Sequence, residues 1–168
     1  MNVTINPVHT SEDIHKLAQL AEGIWNEYFI DIITQEQIDY MIEEFQSEKA
    51  IKQQLGTEGF EYFFITVDGT HVGYTGVKQE ERALFLSKLY LANESRGKGI
   101  ASVAIRYLVN LCNQRNLSSI WLTVNRHNHH TIAVYEKKGF KVIREEVKDI
   151  GKGFVMDDYI MEKQVQFP

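Results

Sequence analysis

The sequence predicts a mixed α/β (α+β) fold built around a central mixed sheet of about seven strands. Three observations support this. Amphipathic helical stripes alternate with short apolar segments, a tight-turn sequence separates two of those segments, and no internal repeat interrupts the pattern. The chain has 168 residues, of which 43% are hydrophobic and 24% are charged. We therefore expect a single globular domain over residues 1–168.

The N-terminal half predicts a strand, two helices and a hairpin. Alternating apolar residues in NVTINPV indicate the first strand. Helix-capping sequences begin at Thr10 and Thr34, and an apolar stripe at helical spacing follows each of them. Asp68 and Gly69 separate two apolar runs, and this pair is typical of a two-residue β-hairpin turn.

The C-terminal half predicts a strand, a helix, a strand, a helix and two final strands. ALFLSKLYLA is apolar on both faces, which is typical of a central strand covered on both sides. Ile100, Ala104 and Leu108 then mark one face of a helix, and SSIWLTV is a buried strand. HTIAVYEKKG is a short helix that ends at Gly139, and FKVIREEV with FVMDDYIMEK completes the sheet.

Composition narrows the classes of partner. The formal net charge is −5, which disfavours general nucleic-acid binding because that function needs an excess of Lys and Arg. No apolar run approaches the length that spans a bilayer, and the N-terminus lacks the pattern of a secretory signal. The single cysteine, Cys112, excludes a disulfide within the chain and is expected to pack in a helix. We expect a cytoplasmic protein without a nucleic-acid or membrane partner.

A basic, glycine-containing loop precedes the helix that starts near Ile100. The segment ESRGKGIA, residues 94–101, contains Arg96, Gly97, Lys98 and Gly99 in succession. A turn that opens a helix directs backbone N–H groups and the positive end of the helix dipole at an anion. Glycine allows close approach of a phosphate, and the two cationic side chains can add charge-assisted hydrogen bonds. The loop predicts a pyrophosphate site, with a solvated turn as the alternative.

Two common phosphate-binding motifs fit less well. A Walker A loop needs Ser or Thr after its Gly-Lys pair, but Gly99 follows Lys98. A Rossmann fingerprint needs a third glycine where Ser102 stands, and an acidic residue where the next strand ends in Asn125. The Rossmann fold remains the runner-up.

Two segments resemble the GCN5-related N-acetyltransferase (GNAT) superfamily. LYLANESRGKGIASVAIRYL is similar to its acetyl-CoA-binding segment, whose Gln/Arg-x-x-Gly-x-Gly/Ala motif stands here as Arg96, Gly99 and Ala101. VNRHNHHTIAVYEKKGF is similar to the next segment, in which Asn128 precedes Tyr135 by seven residues and Glu-Lys and Gly-Phe follow. The two segments occur in the expected order and cover about the C-terminal half.

The resemblance implies a GNAT fold, with a mostly antiparallel sheet, helices on both faces and a splay between strands 4 and 5 that admits the pantetheine arm. Backbone groups near Leu89 and Leu91 would bind the pantetheine amides, and an N–H near Tyr90 would polarise the thioester carbonyl. Asn128 would contact the pantetheine or the start of the last helix. The implied acetyl-CoA-binding residues are Leu89, Tyr90, Leu91, Arg96, Gly97, Lys98, Gly99, Ile100, Ala101, Asn128 and Tyr135.

The implied reaction is direct acetyl transfer to a primary amine in a ternary complex, without a metal. Tyr135 would protonate the departing thiolate, and a core aromatic is the alternative role. Many relatives carry a glutamate that acts as the general base at the positions that correspond to residues 85–88. In this chain those four residues include no carboxylate. His127, His129 and His130 are other candidate bases, but we prefer to interpret them as loop and helix-cap residues, with deprotonation left to water.

The acceptor site is expected in EGIWNEYFIDIITQEQ and KDIGKGFVMDD, by resemblance to the superfamily. Trp25, Tyr28 and Phe29 with neighbouring acidic residues would form an aromatic and acidic mouth for an alkylammonium group. The layout is similar to the bacterial spermidine/spermine N-acetyltransferases, so a polyamine or other small amine is expected. A peptide or protein N-terminal amine, or a non-catalytic acetyl-CoA sensor, remains an alternative. Relatives are often dimers, and the final strands do not decide whether this chain is a homodimer.

Overall fold

The computed structural model describes residues 1–165, and these form a mixed α/β structure. The elements in chain order are β1 (Val3–Pro7), α1 (Ser11–Phe29), α2 (Gln35–Met41), α3 (Glu48–Gly56), β2 (Phe60–Val67), β3 (Thr70–Gln79), β4 (Ala83–Leu91), α4 (Ile100–Arg115), β5 (Ser119–Asn125), α5 (His129–Lys137), β6 (Lys141–Gly151) and β7 (Phe154–Gln164). Seven strands form one sheet in the order β1-β2-β3-β4-β5-β7-β6, with helices on both of its faces. The predicted fold class is confirmed.

The pairing of β4 with β5 is the parallel step in this mostly antiparallel sheet. It runs from the pair Ala83–Ser119 to the pair Leu86–Leu122. Both strands continue beyond these pairs, β4 to Leu91 and β5 to Asn125. The position of β4 between β3 and β5 confirms the central strand expected from its apolar faces, and the splay stays a prediction.

The chain divides into two compact units. The first unit contains residues 1–78 and 88–107, and the second contains residues 79–87 and the chain from residue 108 onwards. A single domain over residues 1–168 stays a prediction, and its last three residues lie outside the described part of the chain. No helix within residues 1–165 is long and apolar enough to cross a bilayer.

Local signals at the start of the chain form as predicted. The Thr10 hydroxyl accepts a hydrogen bond from the Asp13 N–H at 3.0 Å, and the Asp13 carboxylate accepts from the N–H groups of His9 and Thr10. Those two backbone donors lower the pKa of Asp13, which makes the capping box weakly acid-sensitive. Asp68 and Gly69 have φ angles of 49° and 87°, as a two-residue hairpin turn between β2 and β3 requires.

The helical region before β2 is broken into more pieces than the two helices that the sequence predicts. A π-helical turn spans Ile42–Gln46, and Ser47 caps a third helix, α3. The side-chain amide of Gln54 donates to the Phe45 carbonyl at 2.8 Å, and the Gln46 amide donates to the same oxygen. A π-helical turn disturbs the regular backbone hydrogen bonds, and these two buried amides supply donors there. Apolar spacing alone does not reveal such a turn.

Two buried tyrosines complete this arrangement, which we call the glutamine–tyrosine network (Gln46, Gln54, Tyr62 and Tyr74). The Tyr62 hydroxyl donates to Gln54 Oε1 and accepts from Gln46 Nε2 at 3.1 Å. The Tyr74 hydroxyl donates to Gln46 Oε1 at 2.6 Å. Burial raises the pKa of both phenols, so each stays a hydrogen-bond donor near neutral pH. The network connects the π-helical turn to β2 and β3.

Replacing Tyr74 with Phe removes the donor to Gln46 Oε1 and leaves a buried acceptor without it. We expect the Tyr74→Phe variant to lose about 1–3 kcal/mol of unfolding free energy, measured by urea denaturation. Tyr107→Phe is the matched control, because the edge contact of its ring with Phe63, at a centroid distance of 5.4 Å, does not need the hydroxyl. Equal stability of the two variants would contradict the role of the network.

Candidate functional site

The loop predicted to bind pyrophosphate, residues 94–101, lies between β4 and α4 in the first unit, and we call it the phosphate loop. Gly97 and Gly99 have φ angles of 75° and 79°, a region that other residues adopt only with strain. A Cβ added at either glycine would meet no atom within 4 Å, so backbone shape explains these glycines. The Val103 N–H bonds to the Gly99 carbonyl at 3.4 Å. The amides from Gly97 to Ala101 precede that bond, at the end of the helix where anions bind.

The Arg96 side chain turns back onto the first unit. Its Nε donates to the Leu91 carbonyl at 3.1 Å and its Nη1 donates to Asn93 Oδ1 at 3.2 Å. Nη2 lies 3.8 Å from Glu27 Oε1, an ion-pair distance, and the guanidinium carbon lies 4.9 Å from the centre of the Tyr28 ring. Glu27 Oε1 also accepts from the Asn93 N–H at 2.7 Å. The arginine therefore fixes the loop to β4 and α1.

Lys98, unlike Arg96, is an exposed residue. In the described structure it is thus the cationic side chain of the loop that faces water. The sequence predicts the same role for Arg96 and Lys98, because a motif does not specify the direction of a side chain.

The end of β4, residues 89–91, is held closely by β3. The Thr75 hydroxyl donates to the Lys88 carbonyl at 2.8 Å. At Gly73, an added Cβ would lie 2.3 Å from the Tyr90 carbonyl oxygen, so any larger residue would push the two strands apart. The backbone expected to bind pantetheine is therefore firmly positioned by its neighbouring strand.

The three aromatic residues predicted for the acceptor mouth pack around Tyr90. Ring centroids of Trp25, Tyr28 and Phe29 lie 5.6, 5.3 and 5.9 Å from that of Tyr90, all edge to face. Trp25 and Phe29 are only 3% and 6% exposed, whereas Tyr28 is half-buried. Trp25 and Phe29 thus have a packing role, and Tyr28 has the greater access to solvent. Contact of the three residues with an amine stays a prediction.

The other two predicted residues, Asn128 and Tyr135, lie at the two ends of α5 in the second unit. Asn128 is the N-cap of this helix, and its Oδ1 accepts from the Thr131 N–H at 3.4 Å. This is one of the two roles expected for it. Tyr135 is 9% exposed, and its ring meets the edge of Phe140 at 5.3 Å. Gly139, with a φ of 95°, ends the helix as predicted.

The predicted site residues therefore form two groups. The first unit brings together the end of β4, the phosphate loop and the aromatic residues of α1 around Arg96 and Tyr90. The second unit holds Asn128 and Tyr135 on one helix.

The histidines around the start of α5 and the single cysteine do not form a nucleophilic or metal-binding site among residues 1–165. His127, His129 and His130 are exposed around the start of α5, and the His127 N–H donates to Asn125 Oδ1 at 2.9 Å. They occupy the loop and cap positions that the sequence suggested. Cys112 is buried, and burial raises the pKa of its thiol to about 11, so it is a poor nucleophile. Among residues 1–165, no group of three His, Cys, Asp or Glu is placed to hold a metal ion.

Asp158 of β7 is a buried carboxyl that the sequence did not distinguish from its neighbours. It is 6% exposed, and its Oδ1 has no hydrogen-bond partner among the described residues. Burial, assisted by Glu146 and Asp157 and opposed by Lys148, raises its pKa to about 6. A signal was present: two successive aspartates in a strand point to opposite faces, so one of them is expected to face inwards.

Comparison with known proteins supports the resemblance. The acetyltransferase (GNAT) family model matches residues 18–140. An uncharacterized N-acetyltransferase of Mycobacterium tuberculosis is 29% identical over 99 residues, which are 58% of this chain and 63% of that protein. The match thus spans less than two thirds of that relative.

Two solved structures share the fold. One is the PaiA N-acetyltransferase from Thermoplasma acidophilum in complex with coenzyme A, with a TM-score of 0.80 and 24% identity over 98% of this chain and 99% of that one. The other is a spermidine N-acetyltransferase chimera from Vibrio cholerae and hSSAT, with a TM-score of 0.69 and 18% identity over 98% and 96% of the two chains.

The family match runs from within α1, through the phosphate loop, to the residue that follows the C-terminal glycine of α5. It includes both segments on which the sequence resemblance rests. The chain therefore belongs to the acetyltransferase (GNAT) family.

Proposed function

We propose that the protein transfers an acetyl group from acetyl-CoA to the primary amine of a small molecule, with a polyamine as the first candidate. The observation that carries the proposal is the loop of residues 97–101, in which two positive-φ glycines precede α4 within the family match. Such a loop suits the pyrophosphate of coenzyme A.

Acetyl-CoA would bind mainly through backbone groups. The amides from Gly97 to Ala101 would hold the pyrophosphate, and Lys98 would add a charge from solvent. The Arg96 guanidinium would act indirectly, because its hydrogen bonds to Leu91 and Asn93 already fix the loop. Backbone groups of residues 89–91 would bind pantetheine and polarise the thioester carbonyl.

The chemistry requires a proton for the leaving group. The amine nitrogen attacks the thioester carbon, the C–S bond breaks, and a thiolate leaves. Tyr135 would give its phenolic proton to that sulfur, as a general acid. Its packing against Phe140 and the end of α5 supports a fixed ring position.

The acceptor is proposed to be cationic before it reacts. The chain has a formal net charge of −5, and Tyr28 and Glu27, which already attract the Arg96 guanidinium, are both at least partly exposed. An alkylammonium group is attracted both to negative charge and to aromatic rings. A peptide N-terminal amine is the second candidate acceptor.

Gly99→Glu is expected to weaken acetyl-CoA binding by at least about 100-fold, because a like charge at a phosphate site costs several kcal/mol. Isothermal titration calorimetry of the wild-type protein should give a micromolar dissociation constant. Gly59→Glu is the matched control, since Gly59 has the same φ of 79° as Gly99 and is exposed outside the loop. Unchanged binding by the Gly99 variant would exclude the loop as the pyrophosphate site.

Tyr135→Phe is expected to lower kcat by about 100-fold, since a positioned general acid contributes about that much or more. The dissociation constant of acetyl-CoA should change little, because the ring is kept. Release of free thiol from acetyl-CoA measures the rate, and Tyr107→Phe serves as the control. A Tyr135 variant with wild-type kcat would leave this residue a packing role only.

A panel of amines tests the acceptor. Spermidine and putrescine should be acetylated faster than free amino acids or a peptide with a free N-terminus, because their second ammonium group adds charge contacts. Preference for the peptide would support the second candidate. Tight acetyl-CoA binding without turnover of any amine would support a sensor instead.

A further inference from the structure

Asp158 lies at a defined position in the second unit. In the sheet it pairs with Asn125, the last residue of β5, and with Glu146 on β6. Residues directly opposite each other in an antiparallel pair project to the same face, so the Asn125, Asp158 and Glu146 side chains share one face of the sheet. Asn125 immediately precedes the loop that leads to Asn128 and α5.

Oδ1 of Asp158 is one of three buried side-chain polar atoms without a hydrogen-bond partner among residues 1–165, and it alone of the three belongs to a carboxylate. Asp158 is 6% exposed, and Oδ1 has no donor among residues 1–165, whereas the buried side chains of the glutamine–tyrosine network are hydrogen-bonded to one another. Burying a carboxylate without a donor costs free energy, and such a group in a native protein requires an explanation, of which a bound ligand or a catalytic role is one. A ligand that brings an N–H donor and a positive charge would satisfy this oxygen.

We propose that the carboxylate of Asp158 binds the ammonium group of the acceptor amine and takes its proton, which makes it the general base. The inference rests on the proposed acetyl transfer and supplies the group that the strand at residues 85–88 lacks. The alternative bases His127, His129 and His130 are exposed, whereas Asp158 is buried.

The proton balance is complete. The ammonium nitrogen loses one proton to Oδ1 of Asp158, and the neutral amine forms a C–N bond with the acetyl carbon. The C–S bond breaks, and the thiolate takes the proton of Tyr135. The nitrogen loses its second proton to solvent as the amide forms, and Asp158 then releases its own proton to solvent. The Tyr135 phenolate takes up one proton from solvent, so both side chains are restored and one proton is released for each acetyl group transferred.

The charges around Asp158 suit this role. Glu146 on β6 and Asp157 on β7 disfavour its ionised form, and Lys148 on β6 favours it, while Asn125 on β5 is neutral. With a pKa of about 6, the carboxyl is ionised at neutral pH and is a stronger base than an exposed aspartate. Activity that depends on the ionised form should fall as the pH drops through 6.

Asp158→Asn keeps the size of the side chain and removes the base. We expect kcat/KM for spermidine to fall by at least about 100-fold at pH 7.5, with the acetyl-CoA dissociation constant unchanged. Glu145→Gln is the matched control, because Glu145 is the next residue to Glu146 but pairs with Tyr159 on the other face and contacts Arg126. A less than threefold loss in the Asp158 variant would overturn the proposal.

Stability separates a catalytic role from a structural one. The folded-state pKa of Asp158 is raised above its ordinary value of 3.8, so the folded protein binds more protons between about pH 4 and 6. Wild-type stability therefore loses this contribution as the pH rises through that window, and Asp158→Asn escapes the loss. The variant should melt no lower than the wild type at pH 7, whereas a structural carboxylate would give a lower melting temperature.

Glu146→Gln provides a test that leaves Asp158 in place. Removing the negative neighbour should lower the pKa of Asp158, so the acidic limb of the kcat/KM profile should move to lower pH. The limb should stay in place in Glu145→Gln. An acidic limb that Glu146→Gln does not move would overturn the assignment, even if Asp158→Asn fails to fold.

Spermidine binding without acetyl-CoA distinguishes this inference from the proposed transfer. Calorimetry should show binding that weakens at least tenfold in Asp158→Asn and persists in Glu145→Gln. If the wild type binds the amine through Asp158 but turns over no amine, acetyl transfer is wrong and the ammonium site stands. If the wild type acetylates amines while Asp158→Asn binds and reacts normally, the transfer stands and this inference fails.

Discussion

The contacts of Arg96 are the constraint on which the first unit's candidate site depends. One guanidinium group joins the carbonyl at the end of β4, the turn after it and the acidic residue Glu27 on α1. Without these bonds, a loop with two positive-φ glycines would be free to adopt many conformations. The side chain thus fixes residues 91–96, directly before the amides that would face an anion, and this lowers the ordering cost of binding.

The same constraint explains why the aromatic residues of α1 pack where they do. Arg96 lies over Tyr28, and Tyr28, Phe29 and Trp25 surround Tyr90. Gly73 lets β3 approach the same short stretch of β4 from the other strand. Residues 89–91 are therefore held by side-chain packing on α1 and by close backbone approach on β3. A backbone held in this way can bind an extended ligand with little rearrangement.

Much of the fold could be predicted because its signals are local. Each cap or turn signal depends only on residues close to it in sequence. This holds for Thr10, for Asp68-Gly69 and for Gly139, and each forms the cap or turn that its residue type favours. The π-helical turn at Ile42–Gln46 could not be predicted, because its donors come from side chains, one of them on the next helix. The family prediction is confirmed by the family model, which matches residues 18–140 and includes both motif segments on which the prediction rests.

The candidate site was less predictable, because a motif specifies a residue and not its direction. Arg96 matched the motif as an anion ligand, yet its guanidinium points to β4 and α1. Trp25 and Phe29 are predicted to line an aromatic and acidic mouth, and the sequence does not reveal that both are buried. Asp158 differs from Asp157 only in the face of the strand that it occupies, and the Asp-Asp pair does not state which of them faces inwards.

The contrast between these two aspartates also bears on specificity. Asp157 forms an ion pair with Arg126 at 2.7 Å, so its charge is already balanced within the second unit. Asp158 is buried beside other acidic groups, and Lys148 only partly offsets them without forming an ion pair with Asp158, so the ionised form is costly until a positive ligand arrives. In the proposed reaction, binding of an ammonium group would relieve that cost, and the same contact would accept the proton. Recognition and deprotonation would then use one carboxylate, which favours amines that are protonated in solution over neutral nucleophiles.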